Sequence, residues 1–128
     1  MTRRVAGHMG PGSHGSTFGG NPVACAGALA VLDTLDAACL QNVNACAAQL
    51  RAGLAQLPHV AEVSGLGLMV GIAFADNVSA AAVRAAAEQR GLLVLTAKTR
   101  LRLLPPLILT DADVDNALAI LRDVLKAI

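Results

Sequence analysis

Aromatic side chains are nearly missing from this chain of 128 residues: it has Phe18 and Phe74, no tryptophan and no tyrosine. Lysine is as scarce, with only Lys98 and Lys126. Neither sign of charge dominates, ten Lys and Arg standing against nine Asp and Glu. A nucleic-acid binder normally shows a basic excess and often aromatics on which bases stack, so this composition argues against one. The longest apolar run, Val23 to Leu32, is ten residues, about half of what a helix needs to cross a bilayer. No membrane partner is expected. Cysteine is sparse and odd in number. Cys25, Cys39 and Cys46 have no CxxC spacing, which excludes a disulfide framework and leaves no zinc-ligand pattern. They read as small apolar packers in a reducing, cytoplasmic compartment. The start of the chain has two arginines but no apolar segment behind them, so it does not read as a signal peptide.

What the chain does have is alanine and leucine, 26 and 20 residues, enough apolar material for a compact core. Residues 1–9 show no periodicity and read as an unstructured start outside the folded unit. Residues 10–21, GPGSHGSTFGGN, hold five of the twelve glycines and read as a loop. Asn21 is a good N-cap and Pro22 suits the first helical position. A helix from Val23 to about Leu35 is apolar on nearly every face, which calls for burial on all sides. A second helix, about Leu40 to Leu57, carries Leu40, Val43, Ala47, Leu50, Leu54 and Leu57 on one face, and Pro58 stops it. Two β-like runs follow, Val60–Val63 and Leu68–Phe74, with Ser64–Gly67 between them and a turn signal at Asp76-Asn77. Ser79 caps a third helix that Gly91 ends. Leu92–Leu95 and Leu101–Leu104 read as strands, and Pro105-Pro106 closes the second. Thr110 caps a last helix, Asp111 to Ala127, with Asp111 and Asp113 at its positive end and Val114, Leu118, Leu121 and Leu125 as its apolar stripe. The order is ααββαββα. The expected fold is α+β, with helices on one face of a small, mostly antiparallel sheet of about four strands.

The segment richest in chemistry is Gly12–Pro22. Its glycines allow close backbone approach to a ligand. The helix start behind it offers free N–H groups and a positive dipole end that suit a phosphate, and Ser16 and Thr17 add hydroxyls. It lacks the lysine of a P-loop. The same residues also read as a plain connection that caps a helix. His14 is the loop's only acid–base candidate, and with no carboxylate near it in sequence it reads rather as orienting the loop. His8 and His59 have no constellation around them. Arg102, inside an apolar strand, is costly to bury unpaired and suits a carboxylate. Strand alternation, with Arg100 on the same face, points it equally well to solvent. Gly65-Leu66-Gly67 is a fragment of GxGxxG whose third glycine comes too late, so it reads as a tight connection and not a dinucleotide site. Lys98 and Lys126 read as solvated.

The strings HGSTFGGNP (14–22), ACAGALAVLDTL (24–35), GLGLMVGI (65–72) and LRLLPPLILT (101–110), in this order, resemble the C-terminal part of class-III, fold type I, pyridoxal-phosphate aminotransferases. Within that family the likeness is to the acetylornithine aminotransferases of arginine biosynthesis, and it covers roughly residues 10–128. The resemblance implies a small C-terminal domain over 22–128 preceded by a cofactor-facing loop over 10–21. It implies that Thr17 holds the phosphate of pyridoxal 5'-phosphate, that Ser16 touches the amino-acid substrate, and that Arg102 pairs with the substrate's α-carboxylate. It implies a homodimer, or a separate large domain, acting on amino-acid and 2-oxo-acid substrates; the Cys and His spacing adds no metal site. In the family the Schiff-base lysine and the aspartate facing the pyridine nitrogen lie upstream of HGSTFGGNP, and neither Lys98 nor Lys126 matches that lysine. No catalytic residue is therefore assigned in this chain. Ser64 departs from the family pattern, where a basic residue often stands. The resemblance predicts amino transfer from N-acetylornithine to 2-oxoglutarate in the complete enzyme. The alternative is an association module, inactive by itself because the lysine is elsewhere.

Overall fold

A computed structural model describes residues 3–13, 15–75 and 78–128. They form helix α1 (Arg3–Ala6), helix α2 (Pro22–Thr34), helix α3 (Ala37–Leu54), strand β1 (Val60–Leu66), strand β2 (Met69–Phe74), helix α4 (Ala80–Glu88), strand β3 (Leu95–Ala97), strand β4 (Arg100–Leu103) and helix α5 (Asp111–Lys126). The expected order ααββαββα recurs from α2 onward. The one-turn helix α1 replaces the unstructured start expected over residues 1–9. Arg, Val and Ala tolerate a helical turn, and Gly7 follows its end. The chain divides into two compact units at Asp36–Ala37, one helix later than the boundary expected at Asn21–Pro22. The reason is that α2 contributes no residue to the core.

In the first unit, Asn21 caps α2 as expected: its Oδ1 accepts from the Ala24 amide at 3.0 Å. Its Nδ2 donates to the Phe18 carbonyl at 2.6 Å, tying the cap back to the loop. The all-round apolar helix is not buried. Val23, Leu29, Val31 and Leu32 are all more than half exposed. Cys25, expected as a packer, is exposed too.

The second unit holds the core. Its sheet has the order β1-β2-β4-β3, every pair antiparallel. Val70, Ile72, Leu101 and Leu103 face the helices and are buried, as period-two alternation demands. A bulge in β1 between Val60 and Glu62 inserts one residue. Val60 and Val63, three apart, therefore both pack on the core. The β1–β2 hairpin is tighter than expected. Leu66 pairs with Met69, so the turn is Gly67-Leu68 alone. Strand β3 begins three residues later than expected. Gly91, at φ 83°, ends α4 in the left-handed region, and the Leu92 amide reaches back to the Ala87 carbonyl at 3.0 Å, which takes these residues into the helix's C-terminal cap.

Helices α3 and α5 supply most of the remaining core. Val43, Cys46, Ala47, Leu50 and Leu54 of α3 are buried, as are Val114, Leu118, Leu121, Val124 and Leu125 of α5. Leu40, expected on the α3 stripe, is half exposed. Gly53 lets the two helices approach closely: a Cβ there would run into the Leu118 side chain. Thr110 and Asp113 form a full capping box on α5, with the Asp113 carboxylate accepting from the Thr110 amide at 3.0 Å and hydroxyl at 2.6 Å. No single described helix is long and apolar enough to cross a membrane.

Candidate functional site

In the first unit, Ser16 and Thr17 lie at the mouth of a turn that leads into α2. The Gly19 amide donates to the Ser16 carbonyl at 3.3 Å. A Cβ on Gly19 would stand 3.1 Å from Ser16 Cβ, so the glycine keeps the turn closed over the serine. Gly20, at φ 76°, adopts a conformation that L side chains rarely take. Both residues are exposed, and no hydrogen bond ties either hydroxyl to another described residue. His14 lies outside the described residues, as does the Asp76-Asn77 turn. Two hydroxyls on a glycine turn are donors suited to one edge of a phosphate.

In the second unit, the sheet face away from the helices carries the charge. Pairing sets Ser64, Gly71, Arg102 and Leu95 in one row across the four strands. Arg102 is half-buried on strand β4. Its Nε is buried and makes no hydrogen bond, and Arg102 has no ion pair among the described residues. A stripped guanidinium N–H is costly to leave alone, and a carboxylate is its natural complement. Solvent exposure alone, one of the two ways to read Arg102 from its sequence position, does not account for a buried Nε.

Arg100, the neighbour on the same face, is spoken for. Its Nη2 stands 2.7 Å from Glu62 Oε2 and its Nη1 donates to Ser64 Oγ at 3.1 Å. The Ser64 hydroxyl in turn donates to the Gly71 carbonyl at 3.2 Å. Arg100 holds the Glu62 carboxyl below its ordinary value, first through the hydrogen bond and then through its charge. This brace escapes the sequence because Glu62 lies 38 residues from Arg100 and the β1 bulge decides which face Glu62 takes. The alternation that places Arg100 beside Arg102 was its only available signal.

Lys98 sits exposed at the β3–β4 turn with φ 55°, and Lys126 lies exposed in the last turn of α5. Gly65-Leu66-Gly67 belongs to the hairpin and cradles nothing: Gly65, at φ 107°, leaves room for the Met69 carbonyl. Among the described residues no group of three or more His, Cys, Asp or Glu could hold a metal ion.

The chain matches the family model described as aminotransferase class-III over residues 1–125. The likeness thus includes the first nine residues, which their lack of periodicity had set apart. An acetylornithine aminotransferase of Haemophilus ducreyi is 46% identical over 126 residues, covering 98% of this chain and 32% of that protein. One from Gloeobacter violaceus is 48% identical over 120 residues, covering 89% and 30%. The chain therefore spans about a third of the length of the curated relatives it matches. Among solved structures, an ornithine aminotransferase of Toxoplasma gondii superposes with a TM-score of 0.75 at 31% identity, over 97% of this chain and 31% of that one. An acetylornithine aminotransferase of Elizabethkingia anophelis gives 0.72 at 28%, over 97% and 35%.

Proposed function

The chain belongs to the class-III aminotransferases, a pyridoxal-phosphate-dependent family, and from that premise we propose that it forms the part of such an enzyme that grips the substrate carboxylate and one edge of the cofactor phosphate. The names of the similar proteins support N-acetylornithine as amino donor. We take 2-oxoglutarate as acceptor, arginine biosynthesis as the setting, the cytoplasm as the place and a homodimer as the working form.

The observation that carries the reading is the buried, unpartnered Nε of Arg102. Its planar fork would donate side-on to the substrate's α-carboxylate and fix the orientation of the α-carbon. Thr17 would donate its hydroxyl to a cofactor phosphate oxygen, and Ser16 would contact the substrate. Pyridoxal phosphate, when bound, supplies the electron sink that lets an amino group leave one carbon skeleton and enter another. The α-proton must be moved by a base that neither Lys98 nor Lys126 matches in position, so the proposed role of these residues is binding and orientation.

The test is a segment exchange. This chain replaces the matching segment of the Haemophilus ducreyi relative, and amino transfer from N-acetylornithine to 2-oxoglutarate is measured. Transfer is expected to persist, and to fall sharply with Arg102→Ala. A chimera that folds and binds cofactor yet transfers nothing overturns the reading. The chain alone, treated with pyridoxal phosphate and borohydride, is expected to show no stoichiometric adduct at Lys98 or Lys126.

A second reading is favoured by the exposure of Val23, Leu29, Val31 and Leu32 on α2. In it the chain is an association module that docks through this helix and does no chemistry by itself. A clean monomer in size-exclusion chromatography counts against that module and against the homodimer alike.

A further inference from the structure

The buried Nε of Arg102 lies on the sheet face away from the core, so side chains of that face must shield it. The register names its neighbours there. Leu95, half exposed, stands beside Arg102 on β3, and Gly71 stands beside it on β2. Glycine has no side chain to shield anything. That flank is filled from Arg102's own strand. Arg100, two residues earlier on β4, sends its side chain across β2 to Ser64 and Glu62 on β1. A Cβ on Gly71 would stand 3.8 Å from Arg100 Cδ and 3.1 Å from Ser64 Oγ, so the arm of Arg100 lies in the slot that the glycine leaves. Ser64, Gly71 and Arg102 share one row of the sheet. The contacts of Arg100 therefore draw its arm into the row that holds Arg102.

We propose that Arg100 is a positioning residue for Arg102: its arm, anchored at the far end by Glu62 and Ser64, packs over Gly71 against Arg102 and keeps water from the Nε–H. The inference rests on the reading of Arg102 as the carboxylate partner and adds how that arginine is prepared for the acid. A donor already stripped of water gives up no hydrogen bond to solvent when an anion arrives. A guanidinium flanked by packed side chains also loses less freedom on binding. Two neighbouring arginines would ordinarily repel each other. Glu62 answers the charge of Arg100, with Oε2 2.7 Å from its Nη2. The arm thus reaches Arg102 as one half of a neutral pair, and Arg102 stays the positive centre of the row.

The experiment follows the Arg102 Nε–H of the full chain by NMR at mildly acidic pH and low salt. One quantity is its exchange with water, taken relative to the Nε–H of Arg84, which stands 2.8 Å from the Glu88 carboxylate on α4. The other is its shift on titration with acetate. The unmodified chain is compared with Arg100→Lys, which keeps an arm and a charge for Glu62, and with Arg100→Ala/Glu62→Gln. The double variant removes arm and ion pair together at unchanged net charge. Both side chains are more than a third exposed, so their replacement spares the core. In the double variant the exchange is expected to quicken and acetate binding to weaken by about two- to tenfold, the net worth of one hydrogen bond. Arg100→Lys is expected to keep both near the unmodified values. Unchanged exchange and acetate binding in the double variant overturn this inference, Leu95 then being cover enough, and leave the reading of Arg102 standing. Quickened exchange with unchanged acetate binding overturns it as well, because the cover would then do nothing for the acid. An Arg102 that acetate moves in no form removes the reading of Arg102 itself, whatever its exchange.

Discussion

Substituting Gly65 and Gly67 separately by alanine separates two effects of a side chain in the hairpin that places Ser64 and Gly71 beside Arg102. Gly67 has φ 53°, and a Cβ there meets nothing within 4 Å. Its replacement costs only the left-handed conformation, about 1 kcal/mol. Gly65 has φ 107°, outside the left-handed helical region, and its Cβ would collide with the Met69 carbonyl oxygen. That oxygen is backbone and cannot rotate aside. Gly65 is also paired with Val70, which is fully buried, so relief must come from moving the strand pair. Backbone strain of this kind costs about 1–3 kcal/mol by itself, and displacing a packed strand adds to it. Gly65→Ala should therefore destabilise by about 3 kcal/mol or more against about 1 for Gly67→Ala. The difference of about 2 kcal/mol is a large share of a small domain's stability and amounts to roughly 10 °C in Tm. Urea unfolding followed by circular dichroism measures both variants, with an unchanged m-value as the check that only stability moved. Equal losses in the two variants would refute the role given to the Met69 carbonyl, and with it the register of the hairpin.

The α5 capping box makes a pH prediction. The Thr110 hydroxyl and then its amide hold the Asp113 carboxyl below its ordinary value of 3.8, so this contribution to stability is complete above that value and is lost as pH falls through the lowered folded one. Thr110→Ala should let the Asp113 carboxyl titrate at a higher pH, seen by carboxyl-carbon NMR, and an unmoved titration would sink the assignment. Leu121→Ala, at a site 1% exposed, should cost about 2–5 kcal/mol by urea unfolding, a small loss meaning that α5 does not pack as described. Leu32→Ala on exposed α2 should change the stability of the chain alone by no more than about 0.5 kcal/mol, and a core-sized loss would show that α2 is covered. In the chimeric enzyme, Arg102→Lys should raise KM for both acids by about tenfold or more, because a lysine cannot make the paired hydrogen bonds of a guanidinium; an unchanged KM counts against the carboxylate role.

Much of the second unit was legible because its signals are local. Cap residues mark the starts of α4 and α5 and Gly91 the end of α4, and Val114, Leu118, Leu121 and Leu125 recur at helical spacing. The sheet was legible as strands but not as a surface. Nothing local announces that one bulged residue puts both Val60 and Val63 on the core. The same bulge turns Glu62 toward Arg100. Sequence spacing therefore left Arg102 balanced between solvent and anion, and the buried Nε, which spacing cannot show, speaks against solvent alone. The start of β3 was misplaced because Leu92-Leu93-Val94-Leu95 has the composition of a strand, while the C-terminal cap of α4 claims its first residues. Burial of α2 was expected from its composition, yet composition says only that a helix has apolar faces to cover. It does not say that the same chain covers them.

The two places where ordinary rules fail are α2, apolar and exposed, and Arg102, with a buried donor and no acceptor. Neither can be excused as poor folding material. Asn21 caps α2 with good geometry, and β4 is paired on both sides. Locally sound elements that leave a global debt point to something beyond the fold that settles it. The two debts differ in kind: an apolar helix asks for apolar surface, a guanidinium N–H for an anion. One ligand does not meet both. A small carboxylate answers Arg102 and leaves α2 bare, while protein surface packed on α2 leaves Arg102 unmet. Under the proposed function the two occupants are an acid on the sheet face and protein on the helix. The proposed homodimeric aminotransferase would supply both, and an isolated anion-binding domain would supply only the first.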